Sequence, residues 1–99
     1  DEVVIGVPTK FSISQNYPNP FNPVTKINYE LPNDGFVKIS LFNISGKQVA
    51  SLVNDYQNAG YQTAVFNGSG FSSGVYYYRV EFKNENNIES MTKKMLMIK

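Results

Sequence analysis

The side chains that most often carry enzyme chemistry are scarce in this sequence. It has no cysteine and no histidine, so it offers no thiolate nucleophile, no zinc–thiolate site and no histidine general base. Carboxylates remain, but most fall in predicted turns or on outward faces of predicted strands. A catalytic pair needs two carboxyl groups held about 5–10 Å apart, and no spacing here requires that. Within residues 11–99 the carboxylates are Glu30, Asp34, Asp55, Glu81, Glu85 and Glu89. We therefore predict that the domain is not an enzyme and uses no cofactor or metal.

Other short motifs give no stronger indication of chemistry. The glycine-rich segment Gly68-Ser69-Gly70 lacks the lysine and the following helix of a phosphate-binding loop. Two N-x-[ST] sequons, at residues 43–45 and 67–69, are expected by chance in a chain with twelve asparagines. Nine basic and eight acidic residues leave a net charge of +1, without the basic excess that nucleic-acid binding requires. We expect no nucleic-acid partner.

The elements that must position these side chains are β-strands. Val, Ile and Thr total 21 residues, whereas Ala and Leu total 7, a bias typical of pleated sheets. Alternating segments separated by turn residues at intervals of about 8–12 residues predict an all-β fold, an immunoglobulin-like or fibronectin-like antiparallel β-sandwich of about seven strands. We expect residues 1–10 to be a linker or the tail of a preceding domain, with a short strand at Val3–Val7, and residues 11–99 to be the sandwich. The predicted strands are 11–14, 24–31, 36–43, 47–53, 61–66, 75–83 and 88–99.

Several local features sharpen this prediction. The turn sequence Pro32-Asn33-Asp34-Gly35 predicts a hairpin that joins strands 24–31 and 36–43. The irregular face pattern of strand 47–53 indicates a bulge, and residues 54–60 are predicted to be a polar connection. In strand 75–83 we expect Tyr76 and Tyr78 to face the core. Tyr77 should point outward, with Phe42 a weaker candidate for exposure.

Two segments have residue patterns that the packing of a small core does not require. The loop Gln15–Pro23 (QNYPNPFNP) contains three prolines, which fix its path. We expect Tyr17 and Phe21 to plug one end of the sandwich, and a preordered loop is also suited to docking a partner. The final strand is apolar on both faces over Met95–Ile98 and is flanked by Lys93, Lys94 and Lys99. Either both its faces are buried, or one face awaits a partner.

From residue 11 onward the sequence resembles the type A C-terminal sorting domain of proteins exported by the type IX secretion system of Bacteroidota-type bacteria. The resemblance begins with the proline-rich motif, continues through Thr25, Ile27, Tyr29, Leu31 and Pro32, and ends in a Lys-Lys-hydrophobic strand. Phe66 and Gln62 depart from it, since relatives often have Trp and His there. Further matching segments are Gly46-Lys47-Gln48-Val49, Ala59-Gly60, Ser73-Gly74-Val75-Tyr76-Tyr77 and Lys93-Lys94-Met95-Leu96-Met97-Ile98-Lys99.

The resemblance implies a non-catalytic sorting signal for an attached N-terminal cargo protein. The expected partners are the outer-membrane translocon, a shuttle protein and a sortase. The cargo would pass through the periplasm to the outer membrane surface or the extracellular space, with cleavage within or before residues 1–10. A strand-exchanged homodimer is also compatible with the apolar last strand. The residues expected to contact the export machinery are Tyr17, Pro18, Pro20, Phe21, Pro23, Gly74, Tyr76, Lys93, Lys94, Met95, Leu96, Met97, Ile98 and Lys99.

Two other functions remain open from the residues alone. Seven tyrosines on a β-sandwich suit an accessory module that binds a carbohydrate or a protein for a larger extracellular protein. Such a module needs two or three exposed, coplanar aromatic rings. A structural spacer is the third alternative.

Overall fold

The computed structural model describes residues 8–85 and 87–99, so the predicted strand at Val3–Val7 lies outside the described residues. Seven strands form two antiparallel sheets, in the order β1-β2-β5 and β4-β3-β6-β7. This confirms the predicted all-β sandwich. The described ranges contain no helix long and apolar enough to cross a membrane. The strands are β1 (Ser12–Ile13), β2 (Val24–Leu31), β3 (Gly35–Phe42), β4 (Gln48–Gln57), β5 (Gly60–Asn67), β6 (Gly74–Lys83) and β7 (Ile88–Met97).

The core lies between the sheets and consists of the alternate residues of each strand. In β2, Ile27, Tyr29 and Leu31 are buried, whereas Lys26 and Asn28 are exposed. This alternation follows from the period of two in a strand with one face on the core. The strongest contributions come from β3 and β6, the two central strands of the larger sheet. Their buried hydrophobic residues are Val37, Ile39, Leu41, Tyr76, Tyr78, Val80 and Phe82.

The predicted hairpin between β2 and β3 is wrong. The turn at residues 32–34 carries the chain from the smaller sheet to the larger, where β3 pairs with β4 and β6. β2 instead pairs with β5 along its whole length. Both strands must direct an apolar face into the same core, and crossing between the sheets satisfies this for each of them. The Asp34 carboxylate accepts a hydrogen bond from the Ala59 backbone N–H (2.8 Å) at the neighbouring crossover from β4 to β5.

Gly35 marks the start of β3 and is required by close packing. A Cβ atom at this position would lie 2.6 Å from the Lys83 carbonyl oxygen and 2.6 Å from the Phe82 ring. Such distances cannot be relieved by moving a flexible side chain, because one of the atoms belongs to the backbone.

β4 also differs from its prediction. It continues to Gln57, so the expected polar connection at residues 54–60 is wrong. The predicted bulge is confirmed, since the pairing register with β3 shifts between Ile39 and Ser40 and again between Leu41 and Phe42. β4 is an edge strand with Asn54, Asp55 and Tyr56 exposed, so its last residues show no apolar alternation.

Candidate recognition surface

The proline-rich loop 15–23 is anchored by a buried polar cluster at its start. Asn16 is buried, and its side-chain amide donates to the Pro18 carbonyl (3.1 Å) and the Thr25 hydroxyl (3.0 Å). The Thr25 hydroxyl, also buried, donates to the same Pro18 carbonyl (2.8 Å). Buried polar groups require partners of this kind, so the cluster fixes the path of the loop at the start of β2.

Tyr78 ties the loop to the opposite sheet. Its ring is fully buried in β6, and its hydroxyl accepts a hydrogen bond from the Asn16 backbone N–H (2.9 Å). The same hydroxyl donates to the Ser14 carbonyl oxygen (2.9 Å). Burial raises the pKa of Tyr78 above its usual 10.0, although the bond from Asn16 acts in the opposite direction. The hydroxyl therefore stays neutral and holds both residues at neutral pH.

The loop also pairs with the final strand. The Phe21 N–H donates to the Leu96 carbonyl (3.0 Å), and the Ile98 N–H donates to the Phe21 carbonyl (3.0 Å), which forms a parallel bridge. The Asn19 side chain accepts a bond from the Leu96 N–H (3.0 Å). At the start of the loop, the Gln15 amide donates to the Lys94 carbonyl (2.7 Å). The two unusual segments of the sequence thus form one continuous structure.

The predicted site residues divide into a buried set and an exposed set. Phe21 is 1% exposed, as expected for a plug, whereas Tyr17 is 79% exposed, so the prediction that it plugs the sandwich is wrong. The burial of alternate residues explains why the final strand is apolar on both faces. Met95 and Met97 are buried, while Leu96 and Ile98 keep 37% and 48% of their surface exposed on the other side.

The remaining predicted residues lie around this seam. Tyr76 is buried and donates its hydroxyl to the Ser72 carbonyl (2.7 Å). Residues that are partly buried contribute mainly to packing, whereas exposed ones are available to a partner. The partly buried residues are Pro23, Gly74 and Lys93, and the exposed ones are Pro18, Pro20, Lys94 and Lys99. We call the exposed residues Tyr17, Pro18, Pro20, Lys94, Leu96, Ile98 and Lys99 the seam surface.

The sequence analysis did not identify the buried residues that hold this surface in place. Asn16, Thr25 and Tyr78 hold the loop in place, yet Asn16 lies 62 residues from Tyr78 in the chain. No local pattern signals such a contact. A buried threonine at an alternating inward position of β2 was the one available hint.

The exposed aromatic side chains agree only in part with the prediction. Tyr77 lies on the outer face of β6 as predicted, although it is partly buried. Phe42, also partly buried, is covered by the Arg79 guanidinium, which lies 4.7 Å from its ring centre. Phe36 and Tyr56 are instead exposed and are direct neighbours across β3 and β4. Neither exposure was predicted, and Tyr56 was missed because its strand was expected to end at residue 53.

No acidic cluster suited to a metal ion occurs in the ranges 8–85 and 87–99. Glu81 forms an ion pair with Arg79 (3.5 Å) on the outer face of β6, and Asp34 serves the crossover described above. These carboxylates have structural partners at separate places in the fold.

Comparison with known proteins gives two matches. A family model described as "Secretion system C-terminal sorting domain" matches residues 15–98. The fold is similar to part of the dimeric latent PorU from Porphyromonas gingivalis, with a TM-score of 0.69 and 18% identity. That match covers 97% of this chain and 10% of the PorU chain, so the chain spans a small part of that protein's length. No curated protein matches the chain.

Proposed function

Since the chain belongs to the family of secretion system C-terminal sorting domains, the sorting tails of type IX secretion, we propose that it directs an attached N-terminal cargo protein across the outer membrane and that the seam surface is what the export machinery contacts. The observation that carries this proposal is the pairing of Asn19–Phe21 with the edge of β7. It brings both segments that exceed the needs of the core into one surface.

The chemistry of the seam surface suits recognition by a protein. Leu96 and Ile98 present apolar area, and Tyr17 adds an exposed aromatic ring. Lys94 and Lys99 supply positive charge beside them. Apolar anchors bordered by charged groups are the usual arrangement of protein–protein contacts. The expected partners are the type IX translocon and its shuttle protein.

Recognition in this proposal depends on an intact sandwich. The loop keeps its place through Asn16, Thr25 and Tyr78, so the seam surface forms only when β2 and β6 are packed together. The domain performs no reaction itself. We further propose that a sortase separates the cargo within or before residues 1–10, after which the cargo is anchored to the cell surface or released.

The first test uses a fluorescent reporter that carries residues 1–99 behind a periplasmic signal peptide, expressed in a bacterium with a working type IX system. We expect reporter outside the cell only when the translocon is intact. The matched strain without the translocon should keep a folded reporter in the periplasm. A folded reporter that stays in the periplasm of both strains contradicts the proposal.

The second test separates recognition from folding within one strand. The double variant Leu96→Ser and Ile98→Ser changes only outward side chains of the seam surface. The control, Ile88→Ser, changes an exposed outward residue at the other end of β7. We expect the first variant to lose most export and the control to keep it, with similar melting temperatures for both. Equal export by both variants would remove the seam surface from the proposal.

One observation favours an accessory binding module as a second candidate function. Phe36 and Tyr56 are exposed neighbours on the outer face of the larger sheet, beside Lys83 and Glu85. Aromatic rings next to polar groups suit a sugar or a protein side chain. Pull-down on several insoluble glycans, with Tyr56→Ala as the control, tests this module, and binding that Tyr56→Ala abolishes would favour it.

A further inference from the structure

The two sheets end in four edge strands, and three of them carry features that discourage pairing with another strand. β1 has only two residues, and β4 contains the two register shifts. The end of β7 is occupied by Asn19–Phe21, and the rest of the strand carries the charged residues Glu89, Lys93 and Lys94. β5 has none of these features. It runs for eight residues, has no charged residue or proline, and pairs with β2 without a shift in register.

The free side of β5 presents a row of backbone hydrogen-bonding groups. The Gly68 N–H donates to the Pro23 carbonyl (2.7 Å), which continues the register of the β2–β5 ladder by one pair. Hydrogen-bonded and non-hydrogen-bonded pairs alternate along an antiparallel ladder. Even-numbered residues of β5 therefore bond to β2, and Tyr61, Thr63 and Val65 direct their N–H and C=O groups away from it. No other described strand lies on that side.

We propose that this edge pairs antiparallel with the same edge of a second copy of the chain, with Thr63 opposite Thr63 on a twofold axis. This register joins outward-directed backbone groups and forms about six new hydrogen bonds. It places Tyr61, 66% exposed, opposite the second copy's Val65, 56% exposed, on both sides of the axis. Aromatic and β-branched residues form favourable cross-strand pairs. A register centred one residue later would place Tyr61 opposite the polar Asn67.

A second copy fits this edge because the strand is complementary to itself. An uncharged strand brings no like charges together when it meets its own copy. On the inner face, the same register places Gly60 opposite the second copy's Phe66, so that a large ring lies across from the residue without a side chain. One strand pair buries less than the roughly 1,600 Å² of a standard interface. We therefore expect a weak dimer that forms at high protein concentration.

Sedimentation velocity of residues 1–99 over a wide concentration range tests the proposal. The unmodified chain should shift reversibly from monomer to dimer. Val65→Lys should weaken the dimer by roughly 2- to 30-fold, because it replaces both Tyr61–Val65 cross-strand pairs and places a charge beside each ring. Val24→Lys is the matched control. It adds the same charge to the same sheet face, on the neighbouring strand, and should leave the dimer unchanged.

Disulfide crosslinking tests the same pairing without Val65→Lys, in case that substitution reduces folding. The chain has no cysteine, so Thr63→Cys introduces a single thiol. In the proposed register the two Cα atoms lie about 5.5 Å apart, a separation that a disulfide spans. Thr63→Cys should form a crosslinked dimer under mild oxidation, and Thr92→Cys on the edge strand β7 should not. A monomer at all concentrations, a dimer that Val65→Lys leaves intact, or selective crosslinking of Thr92→Cys overturns the proposal.

Discussion

Replacement of Tyr78 by phenylalanine tests how the proline-rich loop is held. The ring stays in the core, so the change removes only the hydroxyl and its bonds to the Asn16 N–H and the Ser14 carbonyl, both 2.9 Å long. Each lost hydrogen bond costs about 1 kcal/mol, and a buried N–H left without a partner costs about 1–3 kcal/mol. Asn16 is only 2% exposed, so water cannot readily replace the hydroxyl. Because these contributions overlap, we expect a loss of about 2–3 kcal/mol.

Urea unfolding measures this loss as a lower midpoint with an unchanged slope, since the same surface is exposed on unfolding. For a domain of this size, roughly 4–8 °C per kcal/mol predicts a melting temperature lower by about 10–20 °C. Tyr77→Phe is the matched control on the outer face of the same strand, and it should change stability by less than about 0.5 kcal/mol. Hydrogen exchange should show lost protection at the Asn16 amide. If Tyr78→Phe is as stable as Tyr77→Phe, the hydroxyl does not anchor the loop.

Three further predictions concern the core and its polar groups. Burial raises the pKa of Tyr29 and of Tyr78 above 10.0. Their contribution to stability should therefore be complete below pH 10 and be lost as the pH rises above it, because only the unfolded state then ionises. Chemical denaturation at increasing alkaline pH should show a smaller decline in the free energy of unfolding when both residues are phenylalanine. Gly35→Ala should destabilise the domain by about 1–3 kcal/mol, because its Cβ would meet a backbone oxygen and a ring at 2.6 Å and overpacking is costly. Gly70→Ala, whose Cβ would have nothing within 4 Å, should leave the thermal midpoint nearly unchanged. Thr25→Val keeps the volume but removes a buried hydroxyl that makes two hydrogen bonds. Urea unfolding should show a free energy of unfolding lower by about 1–3 kcal/mol. An unchanged value would show that the Asn16 cluster does not stabilise the loop.

The elements that could be predicted from sequence are those that face the core on one side only. β2 occupies Val24–Leu31 as predicted, because its inward and outward residues alternate without a break. β6 follows the same rule over most of its length, whereas β7 alternates between buried and exposed residues only near its end. The end of β4 was missed because an edge strand with Asn54, Asp55 and Tyr56 exposed has no apolar face to reveal it.

Pairing between strands was harder to predict than the strands themselves. The turn chemistry of residues 32–35 shows that the chain reverses, but it does not show which sheet the next strand joins. The contact between the loop and β7 depends on backbone bonds between Phe21 and residues 96–98. Backbone hydrogen bonds do not depend on a recognisable pattern of side chains. The unusual composition of the two segments could therefore suggest a binding role, but it could not predict that they pair with each other.

One face of β7 packs in the core, and its other face is exposed and available to a partner. Met95 and Met97 are buried in the core, and the strand also supplies the backbone groups that hold Phe21. Deletion of residues 93–99 would therefore remove core packing, the anchor of the loop and the outward side chains together. Loss of export after such a deletion would be expected from unfolding alone. Substitution of Leu96 and Ile98, whose side chains lie on the outer face, changes the seam surface while the core and the backbone pairing remain, so only that substitution can assign recognition to this strand.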